Sequence, residues 1–299
     1  MDREIRINSK NIFIFFSLYL SLFLGFYYGE NLNYGSKNDW FGADLSPIKD
    51  FSEEFVSTLL NYDSYNHRHS PVYLIFLSLL HKVGITFDLI RFIHLNLSMT
   101  LIYVFFKCLK LKFKEVDQNI LFLISISILL SPTFRSLSIW PDTRLIGLII
   151  FTFSIYEFLK FQETKSKIFF YKSIFFIIMS SYVSPNFSVF IIFYFINYFK
   201  KISFIDLIYG LLICIFLSLP AFYYLFILDV NFLLAQTPGV NEFSNKSFSL
   251  NISNKLMIIS TIIFFHLFPF ILNLNFFNGI IKFFINNLIF ILPFFFINI

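Results

Sequence analysis

Charged residues are scarce in this sequence. Asp, Glu, Lys and Arg together make up 14% of the 299 residues, whereas soluble domains carry about 25%. So few charges cannot solvate the surface of a soluble protein of this size, which disfavours cytosolic catalysis. The net charge is +5, and in a membrane protein such an excess reports loop orientation rather than an anionic partner. The composition therefore predicts no nucleic-acid partner.

Cysteine is equally scarce. Cys108 and Cys214 are the two cysteines of the chain, and they form neither a Cys-x-x-Cys motif nor a metal-ligand spacing. No disulfide framework and no metal site are predicted. A divalent metal ion is compatible with the acids of the first loop described below, but no ligand spacing argues for one.

Hydrophobic residues dominate instead. They make up 57% of the chain, with 48 Phe, and the mean hydropathy is +0.74, so lipid must serve as part of the solvent. A spanning helix needs about 20 mostly apolar residues. Ten segments meet or approach this length: 12–28, 71–86, 89–106, 118–134, 143–159, 168–184, 186–199, 204–227, 256–273 and 280–298. The first lacks a small-residue cleavage site, which predicts a retained signal-anchor helix in a protein of the cell (inner) membrane.

The segment 71–86 decides the orientation of everything that follows it. If it does not cross the membrane and the N-terminus is cytoplasmic, 14 of the 23 Lys and Arg residues lie on the cytoplasmic side; if it crosses, nine do. The positive-inside rule favours the first arrangement. We therefore predict an all-α, polytopic transmembrane helix bundle of about nine spans, in a single domain over 1–299, with 71–86 as a juxtamembrane or re-entrant helix.

The pair of segments at 168–184 and 186–199 leaves two alternatives open. The intervening Ser184-Pro185-Asn186 is either the turn of a helical hairpin or a kink within one helix. A hairpin keeps the polar stretches on one, non-cytoplasmic side, where they could form one site. These stretches are 29–70, 132–142 and the second external loop, 228–255. A single helix would reverse the side of everything downstream.

The first external loop, 29–88, contains juxtamembrane helices in this interpretation. Ser46 as a cap and Pro47 in the first turn predict an interfacial helix over 47–62. Asp44 precedes this helix, and Asp39 lies in a turn-like stretch, 37–42. A carboxylate placed here could accept a proton from a hydroxyl group, but each aspartate also suits a plain cap or a solvated loop.

A basic cluster, His67-Arg68-His69, comes next and is followed by Ser70-Pro71 at the predicted start of an apolar helix. Two imidazoles and a guanidinium at a helix N-terminus favour an anion, and phosphate is the natural candidate. A solvated interfacial turn is the alternative interpretation.

A second polar patch surrounds Trp140-Pro141-Asp142. Asp142 can cap the helix predicted over 143–159, and Arg144 faces either a polar site or Asp142 itself. Ionisable residues that face lipid are costly, so Asp142 together with Arg135 and Arg144 suggests a polar cavity. A structural cap with a snorkelling Arg144 is an equal alternative.

In pattern and order, these features resemble the GT-C superfamily of polytopic glycosyltransferases, which includes protein O-mannosyltransferases and lipid A aminoarabinose transferases. Those enzymes have a signal-anchor helix, a first external loop with a catalytic acid, a His-Pro-Pro-Leu-like motif opening an apolar helix, and a second acid at a later helix start. The matching positions, within roughly residues 1–200, are Asp44 or Asp39, His69-Ser70-Pro71-Val72-Tyr73-Leu74, Arg91, and Trp140-Pro141-Asp142. The chain departs from the pattern at Ser70, where the first Pro would stand, and its acids are not adjacent.

The resemblance implies transfer of a sugar from a polyprenyl-phosphate donor to a hydroxyl of a lipid or glycan acceptor on the outer face. Asp44 is then the first choice for the base and Asp39 the second. Positive donors for the departing lipid phosphate would be His67, Arg68, His69 and Arg144, and Asp142 would orient hydroxyl groups or hold Arg144. Attack in one step would invert the anomeric centre.

Other function classes remain as alternatives. A flippase or transporter of lipid-linked saccharide would also use many helices, but it predicts charges deep within the spans. Here Glu157 and Asp206 are placed near span ends, which disfavours transport. A polymerase or ligase of cell-surface glycan is a close enzymatic alternative, and a structural or assembly subunit is a further one.

Overall fold

The computed structural model describes residues 7–32, 35–65, 69–199 and 201–230. His67, Arg68 and the predicted spans at 256–273 and 280–298 lie outside these residues, as does almost all of the second external loop, 228–255.

The described part of the chain is α-helical and contains no β-strand. The helices are α1 Ser9–Tyr27, α2 Gly35–Asp39, α3 Leu45–Glu53, α4 Phe55–Leu60, α5 Pro71–Lys82, α6 Phe87–Lys112, α7 Gln118–Ile126, α8 Pro132–Ile139, α9 Thr143–Thr164, α10 Lys167–Val183, α11 Phe190–Phe199 and α12 Phe204–Phe222. Short π-helical turns cover Trp40–Asp44 and Tyr223–Ile227, and 3₁₀ turns cover Tyr62–Tyr65, Ser127–Leu130 and Pro185–Val189.

Four of the described helices are long and apolar enough to cross a membrane: Ser9–Tyr27, Phe87–Lys112, Thr143–Thr164 and Phe204–Ile227. This makes the chain a multi-pass membrane protein. The number becomes five if the bent pair Gln118–Leu130 and Pro132–Ile139 is one span. Nine spans stay a prediction.

The segment predicted at 118–134 is bent: its helical part ends at Leu130, and the chain turns by 68° into Pro132–Ile139. Pro132 has no backbone N–H and cannot continue the preceding helix. Ser131 instead begins a new helix, with its hydroxyl oxygen accepting a hydrogen bond from the backbone N–H of Phe134 at 3.4 Å. The redirected helix α8 carries Arg135 and leads into Trp140.

The two ends of the bundle are defined by contacts between distant segments. At one end the backbone N–H of Asn8 donates to Asn119 at 2.8 Å. At the other end Arg135 pairs with Glu30 at 2.6 Å, and we call this the loop end because the described part of the first external loop lies there. The interhelical pair of Lys114 and Glu163, at 2.7 Å, lies at the opposite end.

Residues 167–199 form the hairpin rather than a single kinked helix. Tyr198, near the end of α11, lies 4.6 Å from the ring of Phe170, near the start of α10, and its hydroxyl is 2.6 Å from that of Ser173. Ser184 has extended backbone before Pro185, as the residue preceding a proline prefers. The hairpin therefore keeps the turn near Pro185 at the end where α9 begins.

Helix α5 does not run from one end of the bundle to the other. Twelve residues span about 18 Å, and both ends of the helix contact the loop end. The Tyr62 hydroxyl donates to the His69 carbonyl just before α5 at 2.8 Å, and His81 stacks on Phe87 at 4.3 Å at its other end. The orientation of the chain in the membrane stays a prediction.

Two expectations for the first loop are wrong in detail. The predicted interfacial helix over 47–62 is two helices that begin at Leu45 and break at Glu54. Ser46 is inside the first of them, where its hydroxyl donates to Asp50 at 3.2 Å rather than capping the helix. The stretch 37–42 is helical instead of a turn, because burial of Trp40, which is 1% exposed, holds this stretch against the core.

Candidate functional site

The π-helical turn Trp40–Asp44 positions the two aspartates of the first loop. Trp40 is buried and meets the ring of Phe87 edge-on at 6.2 Å, which anchors the turn to α6. Asp44, at the end of the turn, is 6% exposed, whereas the side chain of Asp39 is 51% exposed. One carboxylate is therefore buried and the other is open to water.

Asp142 caps α9, as the sequence predicts. Its side chain accepts a hydrogen bond from the backbone N–H of Arg144 at 2.7 Å and binds the guanidinium of the same residue through both carboxylate oxygens, at 2.5–3.1 Å. Burial alone would raise the pKa of Asp142, but the hydrogen bonds and charge of Arg144 outweigh burial and hold this pKa below its ordinary value. Asp142 is thus an ionised carboxylate at neutral pH.

Arg144 links α9 to the first loop. Its Nη2 lies 3.8 Å from an Asp39 carboxylate oxygen. The Arg144 guanidinium also interacts electrostatically with the Asp44 carboxylate. Arg144 therefore forms ion pairs with Asp142 and Asp39 at the loop end, and Asp44 lies within electrostatic range of it. Of the two alternatives for Arg144, the structure shows the one in which it faces Asp142. The roles of these residues in any reaction stay predictions.

His69 belongs to the same neighbourhood. Its charge contributes to the lowered pKa of Asp142, after the side-chain hydrogen bonds and the charge of Arg144. The next residue, Ser70, caps α5 by accepting a hydrogen bond from the N–H of Val72 at 3.3 Å, and Pro71 occupies the first turn, as predicted. The other two members of the basic cluster, His67 and Arg68, lie outside the described residues.

The sequence analysis did not predict a buried pair formed by the Tyr73 phenol and the His94 imidazole. The hydroxyl of Tyr73 is 2.5 Å from Nδ1 of His94, and Nε2 of His94 is 2.7 Å from the Leu137 carbonyl. A carbonyl can only accept, so Nε2 carries the proton and Nδ1 accepts from Tyr73. Tyr73 feels the charges of both Asp142 and Asp44, which places it within electrostatic range of two site carboxylates. The available signal was a histidine within an apolar helix.

A second missed group surrounds Trp140. Its indole N–H donates to the Glu30 carbonyl at 2.8 Å, while the Glu30 carboxylate binds Arg135 through both oxygens, at 2.6 and 2.7 Å. The guanidinium of Arg91 lies 3.7 Å from the Trp140 ring centroid. Arg135, expected to contribute to the polar cavity, is therefore held by Glu30.

Among the described residues, this site contains the carboxylates of Asp39, Asp44 and Asp142 together with Arg144 and His69. Such an arrangement can hold hydroxyl groups and accept a proton from one of them. Within the described ranges, no three His, Cys, Asp or Glu side chains are grouped so as to hold a metal ion.

Comparisons of the chain with protein-family models, curated proteins and solved structures found no match.

Proposed function

We propose that this protein is a membrane glycosyltransferase of the GT-C type. It would move a sugar from a polyprenyl-phosphate-linked donor to a hydroxyl group of a lipid or glycan acceptor at the external face of the cell membrane. The observation that supports this proposal is the convergence of Asp39, Asp44 and Asp142 around Arg144. These residues are separated by about 100 positions in sequence, yet they meet at the mouth of a helix that is long enough to span the membrane.

In this proposal Asp44 is the base. Its carboxylate takes the proton of the acceptor hydroxyl as the hydroxyl oxygen bonds to the anomeric carbon, a step worth typically 10²–10⁴-fold. The bond between the anomeric carbon and the phosphate oxygen breaks, and the lipid phosphate leaves with the bonding electrons. One displacement inverts the anomeric centre. Asp39 is the second choice for the base, because its side chain is more exposed and shares Arg144.

Asp142 has a supporting role in this mechanism. Its carboxylate is occupied by the backbone N–H and guanidinium of Arg144, so it fixes that side chain rather than taking a proton. Arg144, which is 44% exposed, then remains able to reach a hydroxyl group of the acceptor or the sugar.

The test is sugar transfer by membranes that contain Asp44→Asn. We expect transfer to fall by 10²-fold or more while the amount of inserted protein is unchanged. Asp63→Asn, an exposed acid of the same loop, is the matched control and should retain wild-type transfer. Wild-type transfer by Asp44→Asn would remove Asp44 as the base.

Transport of a lipid-linked saccharide is the second candidate, and one observation favours it. Glu157 is 8% exposed and lies seven residues before the end of α9, about 10 Å from that end of the helix. One of its carboxylate oxygens is buried and has no hydrogen-bond partner within the described ranges, and buried acids within spans commonly mark transport pathways. Translocation in vesicles that requires Glu157 but not Asp44 would favour this function over transfer.

A further inference from the structure

Arg91 and Lys37 lie over the Trp140 ring, and carboxylates compensate their positive charges only weakly. Arg91 is 8% exposed, and its ion-pair partner Asp88 has a side chain that is 87% exposed. Such an exposed carboxylate is well hydrated and compensates a buried charge weakly. The guanidinium nitrogen Nη2 of Arg91 is buried and has no hydrogen-bond partner among the described residues.

A second cation contacts the same indole. The ammonium of Lys37 is 5.5 Å from the Trp140 ring centroid, and no carboxylate of the described residues lies within ion-pair distance of it. Two buried hydroxyl groups close to Trp140 in sequence, those of Ser138 and Thr143, also have no partner in the part of the chain that the structure describes. Every one of these groups can donate a hydrogen bond, so the surroundings of Trp140 suit an anion.

The surface beside this cluster is aromatic. The ring of Phe26 lies 4.9 Å from the Arg91 guanidinium and packs against Phe23 and Phe92 at 6.3 and 5.9 Å. These rings are partly exposed, and most of the apolar residues of α1 are not buried inside the protein. A hydrocarbon chain could therefore lie along α1 and α6 while its head group reaches Trp140.

We propose that Arg91 and Lys37, held against Trp140, bind the phosphate group of a membrane lipid. A guanidinium presents forked N–H donors that match phosphate oxygens, and a bound phosphate would supply the partner that Arg91 Nη2 lacks. Arg144 is less suited to this role, because Asp142 and Asp39 already compensate its charge. The inference rests on the proposed function only for the identity of the lipid, since the anion site itself does not require sugar transfer.

Fluorescence of the purified full-length chain in detergent tests the proposal. Trp40 and Trp140 are its two tryptophans, so a signal that disappears in Trp140→Phe reports this cluster. The probes are farnesyl monophosphate, farnesol and inorganic phosphate. We expect farnesyl monophosphate to change the emission with saturation, and farnesol to have no effect at the same concentrations. Equal binding of farnesol would overturn the proposal.

Three variants identify the ligands. Loss of a charge-assisted hydrogen bond predicts that Arg91→Gln weakens binding of farnesyl monophosphate roughly tenfold or more. Because removal of a buried cation can unfold a protein, Lys37→Gln is the second variant, with roughly threefold weaker binding expected. Lys49→Gln is its matched control, since Lys49 also lies over a ring at the loop end, 5.7 Å from that of Phe87, and it should bind as the wild type does.

The outcomes separate the lipid from free phosphate and binding from transfer. If inorganic phosphate binds as tightly as farnesyl monophosphate, the anion site stands and the lipid is excluded as its ligand. Wild-type affinity in a folded Lys37→Gln and a folded Arg91→Gln would overturn the site itself. If Asp44→Asn binds farnesyl monophosphate but transfers no sugar, both proposals are supported. If the wild-type protein transfers sugar but does not bind farnesyl monophosphate, the phosphate site at Trp140 is overturned and the proposed transfer function is not.

Discussion

Replacement of Asp142 should destabilise the protein in two separable steps. Asp142→Ala removes the helix cap, worth about 1 kcal/mol, and the charge-assisted hydrogen bonds to Arg144, worth about 1.5–3 kcal/mol. The lower part of that range applies, because the Arg144 side chain is 44% exposed and water can solvate it after the change. We therefore expect a total loss of about 2–3 kcal/mol.

Asp142→Asn separates the cap from the charge. The amide oxygen can still accept from the N–H of Arg144, so the cap remains and the expected loss is about 1–2 kcal/mol. At roughly 2–4 °C per kcal/mol, the midpoint of thermal unfolding should fall by about 6 °C for the alanine variant and about 3 °C for the asparagine variant. Tryptophan emission during heating in detergent measures both.

The pH dependence of the same midpoint gives the sign of the charge contribution. The pKa of Asp142 is lowered in the folded protein, so the stabilisation is fully present above the unfolded value of about 3.9. It is lost as the pH falls through the lowered folded value. Asp142→Asn should lack this acidic decline.

The control is Glu163→Gln, which removes one partner of a pair whose side chains are 57% and 41% exposed. It should change stability by no more than about 0.5 kcal/mol. Equal midpoints for wild type and Asp142→Asn would refute the stabilising pair, and equal midpoints for the asparagine and alanine variants would refute the cap.

Two further predictions concern packing and orientation. A Cβ at Gly147 would lie 2.6 Å from the Ser184 Cβ and 3.0 Å from the Phe187 ring, so Gly147→Ala should destabilise the protein by about 1–2 kcal/mol through overpacking, as measured by thermal unfolding. Gly42→Ala is the control, because no atom of the described residues lies within 4 Å of a Cβ at Gly42, and it should be neutral or stabilising. Similar losses of stability in both variants would contradict the steric reason. In a variant without Cys108 and Cys214, a cysteine at exposed position 63 should react with an impermeant maleimide in intact cells. A cysteine at exposed position 115 should react only after permeabilisation. Labelling of both positions from one side would contradict their placement at opposite ends of the bundle.

Local signals predicted the helix starts well. Ser70 before Pro71 and Asp142 before Thr143 both cap as expected, because an N-cap depends on residues two or three positions away. Ser131 before Pro132 caps a helix in the same way, but this start lies within a predicted apolar segment. A run of apolar residues can be bent and remain apolar, so hydropathy alone could not locate the 68° bend.

Partners across the chain were less accessible to prediction. The Lys and Arg distribution predicted that Asp39 and Asp142 share a side, but not that Arg144 would lie between them. The Arg91–Trp140 and Glu30–Arg135 contacts join positions 49 and 105 residues apart. Such pairs depend on the path of the chain between them, and each residue on its own fits an ordinary interfacial position.

The 139–144 segment joins two electrostatically different neighbourhoods at the loop end. Among the described residues, Asp142 and Arg144 belong to a neighbourhood in which carboxylates outnumber arginines, together with Asp39 and Asp44. Trp140 belongs to the one with excess cation, and two residues of extended chain span at most about 7 Å. Transfer from a lipid phosphate needs a proton acceptor near the incoming hydroxyl and cations near the departing phosphate, but not the same groups for both. If Arg144 bound the phosphate instead, it would have to release Asp142, whereas Arg91 can bind an anion without giving up a buried carboxylate. The division of charge along this segment therefore favours a phosphate at Trp140 and an acceptor at Asp44.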